Sequence, residues 1–299
     1  MEAQALGEAA ADGDGDGDGD GVRMVLGAFR WVLVPFVVLA VGATLALYVN
    51  TGHTEDDFAW TIAPDLTAAL LGAAYGGTIV FFAMALCQRV WANFRMVLPA
   101  PFVLSCLMLV ATLMHVDRFH LDGGEPVAVG VAWIWLVVYL VVPPAIVGLT
   151  WWQLRQPGTD PPRRRRLPVG LRVAVGLFGF SGVVVGLVLF VAPGRVAPHW
   201  PWPITPLTGR ALAAWLAALG VAGLQAMLED DVRRVRVGLS ALAVMGGLGM
   251  LAVARYGDDV TVWWPGGALL VAVLALMAVA GGYGVLLDRR VGAEDRPLS

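Results

Sequence analysis

Residues 48–64 read YVNTGHTEDDFAWTIAP, and residues 190–206 read FVAPGRVAPHWPWPITP. Aligned without a gap, the two stretches share a valine, a glycine, a tryptophan, an isoleucine and the final proline. The offset is 142 residues (190 minus 48), and at the same offset Arg30 falls on Arg172 and Asp117 on Asp259. Self-similarity at a fixed offset indicates a structural unit that has been duplicated. The sequence therefore predicts two copies of one unit in tandem.

The composition of the chain indicates a membrane protein. Hydrophobic residues make up 58% of the 299 residues, charged residues only 14%, and the mean hydropathy is +0.73. A soluble domain has about 25% charged residues, so lipid is the expected solvent for most of this chain. The two cysteines, Cys87 and Cys106, lie in or at the end of apolar runs. Neither a disulfide framework nor a thiolate metal site is predicted.

Apolar stretches long enough to cross a bilayer, which takes about 20 residues of helix, occur eight times. The predicted spans are residues 25–49, 65–87, 96–115, 127–152, 168–192, 210–228, 237–255 and 266–287. The first four correspond to the last four at the 142-residue offset. Four crossings return the chain to its starting side, so the two copies are parallel rather than inverted. The predicted fold class is all-α, a polytopic membrane protein of eight transmembrane helices in two parallel four-helix repeats.

Arginine placement predicts the orientation. All twenty basic residues are arginine, and sixteen of them lie in the segments that share a side with the two termini. The other side holds only Arg118, Arg195, Arg210 and Arg255. Cytoplasmic loops carry the excess of basic residues, so both termini are predicted to be cytoplasmic. Arginine-only basic residues and abundant Ala, Gly and Val are typical of a high-GC bacterium, so the expected location is the bacterial plasma membrane.

Composition also divides the chain into segments. Residues 1–22 form an acidic Asp-Gly tail without the positive charge of a secretory signal, and we predict that this tail is disordered. The first repeat spans 23–153 and the second spans 168–290, with a cytoplasmic tail at 291–299. The linker 154–167 carries Arg163 to Arg166. This run is interpreted as a topology anchor or as a contact with anionic lipid of the inner leaflet.

The predicted spans contain no charged residue near the middle of the membrane, which argues against ion coupling. The patterns Gly72-x3-Gly76 and Gly182-x3-Gly186 predict close approach of helix backbones, within the chain or in a homo-oligomer. The pairs Pro99-x-Pro101 and Pro143-Pro144 predict kinks in the third and fourth spans.

Candidate binding residues fall in the predicted outer loops. Trp60 and Trp202 are expected at headgroup depth, either as aromatic anchors or lining a vestibule shared by the two repeats. The remaining candidates are polar or charged: His115, Asp117, Arg118, His120, His199 and Arg210. The five-residue spacing of His115 and His120 matches no strong ligand pattern, so no metal site is predicted. No cofactor is predicted either, because haem between helices needs histidines inside the spans.

Three stretches carry a family resemblance: FAWTIAP at 58–64, LMHVDRFH at 113–120 and WPITPLTGR at 202–210. They resemble uncharacterised polytopic membrane proteins of high-GC bacteria. The resemblance covers most of the spans and implies a membrane fold, and it brings no activity with it.

Three classes of function fit the sequence. The favoured class is a transporter-like protein, or one that binds a small molecule or lipid, with an outer vestibule between the repeats. The second is a non-enzymatic scaffold or a subunit of a membrane assembly, held by small-residue helix faces. The third is a membrane enzyme that uses the outer His and Asp residues, although no hydrolase, nucleotide-binding or zinc-protease motif occurs in a workable place. Nucleic acid is not an expected partner.

Overall fold

The computed structural model describes residues 21–294, with side chains up to Arg290. The predicted acidic tail therefore lies almost wholly outside the described residues, as does the end of the predicted C-terminal tail. Within these residues, eight helices are long and apolar enough to cross a membrane. We label them α1 (Gly27–Thr44), α2 (Asp65–Leu86), α3 (Pro99–Met114), α4 (Pro126–Leu154), α5 (Val169–Val191), α6 (Pro206–Glu229), α7 (Val232–Tyr256) and α8 (Ala268–Glu294). The predicted fold class, an all-α polytopic membrane protein, is confirmed.

Short turns extend two of the spans. A π-helical segment, Leu45–Val49, continues α1, and another, Trp263–Gly267, leads into α8. Single helical turns at Thr54–Asp57, Trp91–Phe94 and Pro193–Val196 lie in the connections. Each crossing reverses the direction of the chain, so alternate connections lie at the same end of the bundle. One end, here called the terminal face, holds residues 21–26, 87–98, 155–168 and 230–231. Residues 50–64, 115–125, 192–205 and 257–262 form the opposite face.

Helix ends differ from the predicted spans where a side chain caps the helix. The predicted seventh span starts at residue 237, whereas α7 begins at Val232. The Asp231 side chain accepts hydrogen bonds from the backbone N–H groups of Arg233 and Arg234, at 3.0 and 3.1 Å. This N-cap lets the helix extend through arginines that belong outside the hydrocarbon. In the same way the Thr205 side chain caps α6 by accepting a hydrogen bond from Thr208 N at 3.2 Å. This helix begins at Pro206, four residues before the predicted start.

Pro99 and Pro101 do not interrupt a helix, so the predicted kink at this point is wrong. Both lie in the first turn of α3, where the missing N–H has no intrahelical partner to lose. Pro143 and Pro144 lie inside α4, which continues through them.

The helices pack as two rows of four. One row runs α1, α2, α7, α8, and the other runs α5, α6, α3, α4. The contacts between α5 and α6 and between α7 and α8 are the most extensive in the molecule, and those between α3 and α4 are much sparser. Each row therefore mixes helices from the first and second halves of the chain.

Three buried acidic residues join the segments of the terminal face to one another. Glu229, Asp230 and Asp231 are 8, 7 and 2% exposed. Asp231 accepts from the backbone N–H of Arg164 at 2.7 Å, and Asp230 accepts from that of Leu167 at 3.2 Å. The linker is therefore fastened to the loop between α6 and α7 by backbone hydrogen bonds.

Candidate functional site

The two predicted outer tryptophans lie in the protein core. Trp60 is 3% exposed and Trp202 is 2% exposed. The Trp60 ring packs against Phe58, Phe119 and Trp135, with centroids 4.9 to 5.3 Å apart. Because both indoles are buried, these two rings do not line an open vestibule.

The two indoles differ in hydrogen bonding although they occupy corresponding sequence positions. Trp202 Nε1 donates to Thr67 Oγ1 at 2.7 Å, and both residues are buried. Trp60 Nε1 is buried without a partner. The residue that corresponds to Thr67 at the 142-residue offset is Gly209, which has no side-chain acceptor.

Trp202→Phe should therefore destabilise the protein more than Trp60→Phe. The first change leaves a buried threonine hydroxyl without its donor, which typically costs about 1–3 kcal/mol, whereas the second removes an unpaired N–H and keeps most of the ring. Unfolding of the two variants in a detergent titration measures the difference. Equal destabilisation by both changes would contradict the assigned hydrogen bond.

His120 holds the loop before α2 in place. Its backbone N–H donates to Ala59 O at 3.0 Å, its Nδ1 lies 2.9 Å from Phe58 O, and its Nε2 lies 3.2 Å from Thr61 Oγ1. Both ring nitrogens are engaged with the protein, so the role that the contacts support is structural.

The other polar candidates do not converge on one point. His115 Nδ1 lies 3.0 Å from Ala111 O, so this nitrogen carries the proton, and His115 Nε2 accepts from Arg210 Nη1 at 3.1 Å. Asp117 and Arg118 pair with each other at 3.2 Å while both are at least 70% exposed. His199 is exposed. Within residues 21–290 no three His, Cys, Asp or Glu side chains are grouped so as to hold a metal ion.

A cavity of about 780 Å³ lies instead within the bundle, on the side of α1 and α4. Its wall extends from Phe29 and Val97, near the terminal face, to Asn50 and Phe58, near the opposite face. Helices α1 to α7 all contribute, and the wall is overwhelmingly apolar. The volume is in the range of small-molecule sites, roughly 300–1,000 Å³.

The cavity opens sideways between α1 and α4. Val38 on α1 and Val141 on α4 line it, yet they are 66 and 54% exposed on the outside of the bundle. An opening at this level of a membrane helix faces acyl chains rather than water. A hydrophobic molecule can therefore enter from the bilayer without crossing an aqueous phase.

The corresponding place in the second half, between α5 and α8, is closed by glycines. A Cβ built on Gly179 would lie 2.5 Å from Leu224 N, and one on Gly246 would lie 2.5 Å from Ala278 N. Such contacts mean that the backbones of α5 and α6, and of α7 and α8, touch. The small pocket that remains between α5, α7 and α8 holds only about 10 Å³.

In the first half, larger residues stand at the positions that correspond to six glycines of the second half. At the 142-residue offset, Gly182, Gly220, Gly223, Gly246, Gly281 and Gly284 fall on Ala40, Thr78, Phe81, Leu104, Tyr139 and Val142. All six of the larger residues line the cavity. Side chains in place of glycine hold neighbouring helices apart, which accounts for the large cavity on the α1 and α4 side of the described bundle.

Polar atoms are few along the cavity wall. Thr78 and Ser105 hydrogen-bond to backbone carbonyl groups of their own helices, at 2.9 and 3.0 Å. The Tyr75 and Tyr139 hydroxyls bond to each other at 3.1 Å. The Trp215 ring packs edge-on against Tyr75 with centroids 5.2 Å apart, and its Nε1 is buried without a partner.

None of the outer residues predicted from sequence lines this cavity. Tyr75 and Tyr139 stood out in the sequence only as polar residues inside apolar spans, and Trp215 did not stand out. Comparison of the chain with protein-family models, with curated proteins and with solved structures gives no match. The geometry of the cavity is therefore the main basis for assigning a function.

Proposed function

We propose that this protein binds a long, uncharged, apolar molecule taken from the bilayer, in the cavity between α1 and α4. The observation that carries the proposal is the cavity of about 780 Å³ itself, which is apolar and opens between two lipid-facing helices. The wall bears no charged side chain except Asp57 at its outer end. Such a surface suits hydrocarbon and disfavours ions.

An empty cavity of this size would be a large burden on stability. Unfilled apolar space costs stability in proportion to its volume, and this space opens to the bilayer rather than being enclosed. Hydrocarbon is therefore expected to fill it in the membrane. The sideways opening supplies it, either from a specific ligand or from lipid tails.

Duplication of a four-helix unit is part of the proposal, and the helix pairing supports it. At the 142-residue offset the pair α1–α2 becomes α5–α6, α3–α4 becomes α7–α8, and α2–α7 becomes α6–α3, and all of these pairs are in contact. The Arg23 carbonyl accepts from Trp91 N at 2.9 Å, and the Arg165 carbonyl, 142 residues on, accepts at 2.9 Å from Val232 N, one residue before the position that corresponds to Trp91. An ancestral pair of equal sites, one of which has closed, explains the one-sided cavity.

The terminal face is proposed to lie in the cytoplasm of a bacterium, under the plasma membrane. The concentration of arginines at this face supports the orientation. Arg166 is 80% exposed although it lies 3.9 Å from Asp230. Its exposure supports a contact between the linker and anionic lipid headgroups.

Filling the cavity should remove binding. Ala145 on α4 and Ala222 on α6 both line the cavity, and phenylalanine at both positions would occupy much of its middle. The protein is purified in discs of native membrane, and the apolar molecules that remain after transfer to detergent are quantified by mass spectrometry. The double variant should retain at least about tenfold less of any specific ligand, since overpacked sites do not accommodate added volume.

The matched control places the same two phenylalanines on the lipid-facing surface, at Ala83 and Ala272, which are exposed and lie outside the cavity wall. The control should retain as much ligand as the wild type. If the wild type, the control and the filled variant all carry the same molecules in the same amounts, the cavity is not a binding site. The scaffold role then becomes the better explanation.

A further inference from the structure

One point in the cavity presents hydrogen-bond donors without acceptors. Tyr75, Tyr139 and Trp215 come from α2, α4 and α6, and all three line the cavity. Tyr139 and Trp215 are each 7% exposed. Because buried polar groups almost always have a partner, an unpartnered donor on a residue that lines a cavity indicates what the cavity receives.

The number of free donors follows from the chemistry of the pair. When two hydroxyl groups bond to each other, one O–H donates and the other O–H is left over. Among the described residues, neither the Tyr75 nor the Tyr139 hydroxyl has a further hydrogen bond. The Trp215 N–H is also without an acceptor. The cluster therefore offers two donors, one O–H and one N–H, and no charge.

These donors lie deep in the membrane. Tyr75 is ten residues from the start of α2 and eleven from its end, which places it about 15 Å from either end at 1.5 Å per residue. Since the hydrocarbon core is about 30 Å thick, this position is near its middle. Ester groups of ordinary phospholipids lie in the interfacial region and do not reach this depth.

The cluster belongs to the open side only. At the 142-residue offset Tyr75 falls on Ala217, Tyr139 falls on Gly281, and Trp215 corresponds to Ala73. The corresponding positions Ala217, Gly281 and Ala73 therefore carry none of the three polar groups. Open space and unpaired donors therefore occur together, as expected for one ligand site.

We infer that the ligand is an uncharged, largely hydrocarbon molecule that carries a carbonyl oxygen, such as a lipophilic quinone or ketone, and that this oxygen accepts from Trp215 and from the tyrosine pair. The inference rests on the proposed binding function and specifies its ligand. A carbonyl oxygen has two lone pairs and accepts two hydrogen bonds. A saturated hydrocarbon would fill the same space and leave both donors unpaired, which is costly in an apolar medium.

Two matched ligands test the inference on the purified full-length protein in detergent. One is phylloquinone, and the other is its oxygen-free naphthalene analogue, which has the same fused rings and the same chain. Binding is measured by retention on gel filtration followed by extraction. Wild-type protein should bind phylloquinone at least about tenfold more tightly than the analogue, since two hydrogen bonds to buried donors are made or lost.

Variants then assign the preference to the cluster. Tyr75→Phe/Tyr139→Phe and Trp215→Phe should each reduce phylloquinone affinity about fivefold to tenfold more than affinity for the analogue, because the analogue makes no hydrogen bond to these groups. Retained binding of the analogue also shows that each variant is folded.

The outcomes separate the two proposals. If the wild type binds both ligands equally, or if the variants keep the preference for phylloquinone, the carbonyl inference is overturned while the proposed function stands. If the wild type binds neither ligand and its native preparation carries no apolar molecule, the proposed function fails as well.

Discussion

Glu229→Gln is expected to lower the free energy of unfolding by about 3–5 kcal/mol, the usual effect of breaking a buried ion pair. Glu229 ends α6 and is 8% exposed. Its carboxylate accepts from Arg95 at 2.6 and 2.8 Å and from Arg234 Nη1 at 2.9 Å. Arg95 retains Asp160 as a second partner, but Arg234, 6% exposed, then has only the Pro161 carbonyl among the residues that the structure describes. The change therefore leaves a buried cation without a counterion.

A second substitution tests that reason. Arg234→Met, added to Glu229→Gln, should recover a substantial part of the lost stability, because no unpaired charge then remains buried. Asp117→Asn is the surface control, since its partner Arg118 is also exposed, and it should change stability by less than about 1 kcal/mol. Unfolding midpoints of the four proteins in a denaturing-detergent titration give the comparison. Equal effects of Glu229→Gln and Asp117→Asn would contradict the assigned network.

The same network shows where sequence reasoning reached its limit. Hydropathy was sufficient to find all eight spans, because each needs about 20 apolar residues and few charges. The helix ends depend on capping contacts such as that of Asp231, which involve only a few atoms. The linker arginines were interpreted as a topology anchor or a lipid contact, since nothing in the local sequence indicates that backbone N–H groups of the linker bond to Asp230 and Asp231.

The cavity does not include the outer residues predicted from sequence, for a related reason. Trp60 and Trp202 lie a few residues before apolar runs, a position that suits a membrane-surface anchor as well as a core residue. Only tertiary packing decides between these two roles. Tyr75, Tyr139 and Trp215 are far apart in the chain, so no local motif joins them. The sequence did contain one signal for the cavity. At the 142-residue offset, several glycines of the second half correspond to larger residues in the first half.

Gly246→Ala should destabilise the protein by about 2–3 kcal/mol, near the upper end for overpacking. A Cβ at this position would lie 2.5 Å from Ala278 N and 2.6 Å from Leu274 O, both backbone atoms of α8. Backbone atoms cannot turn aside as a flexible side chain does, so α7 and α8 must separate along their contact. The neighbouring Gly247 is exposed and has no atom within 4 Å of its Cβ position. Gly247→Ala makes the same chemical change in the same helix.

Unfolding titrations of Gly246→Ala, Gly247→Ala and the wild type separate packing from helix propensity. Alanine favours a helix over glycine by roughly 1 kcal/mol, so Gly247→Ala should be neutral or slightly stabilising, and only Gly246→Ala should be destabilising. The position corresponding to Gly246 in the first half is Leu104, which lines the cavity. If Gly246→Ala is tolerated as well as Gly247→Ala, close backbone contact does not hold the second half shut. Glycine content would then not explain why the cavity lies on one side of the bundle.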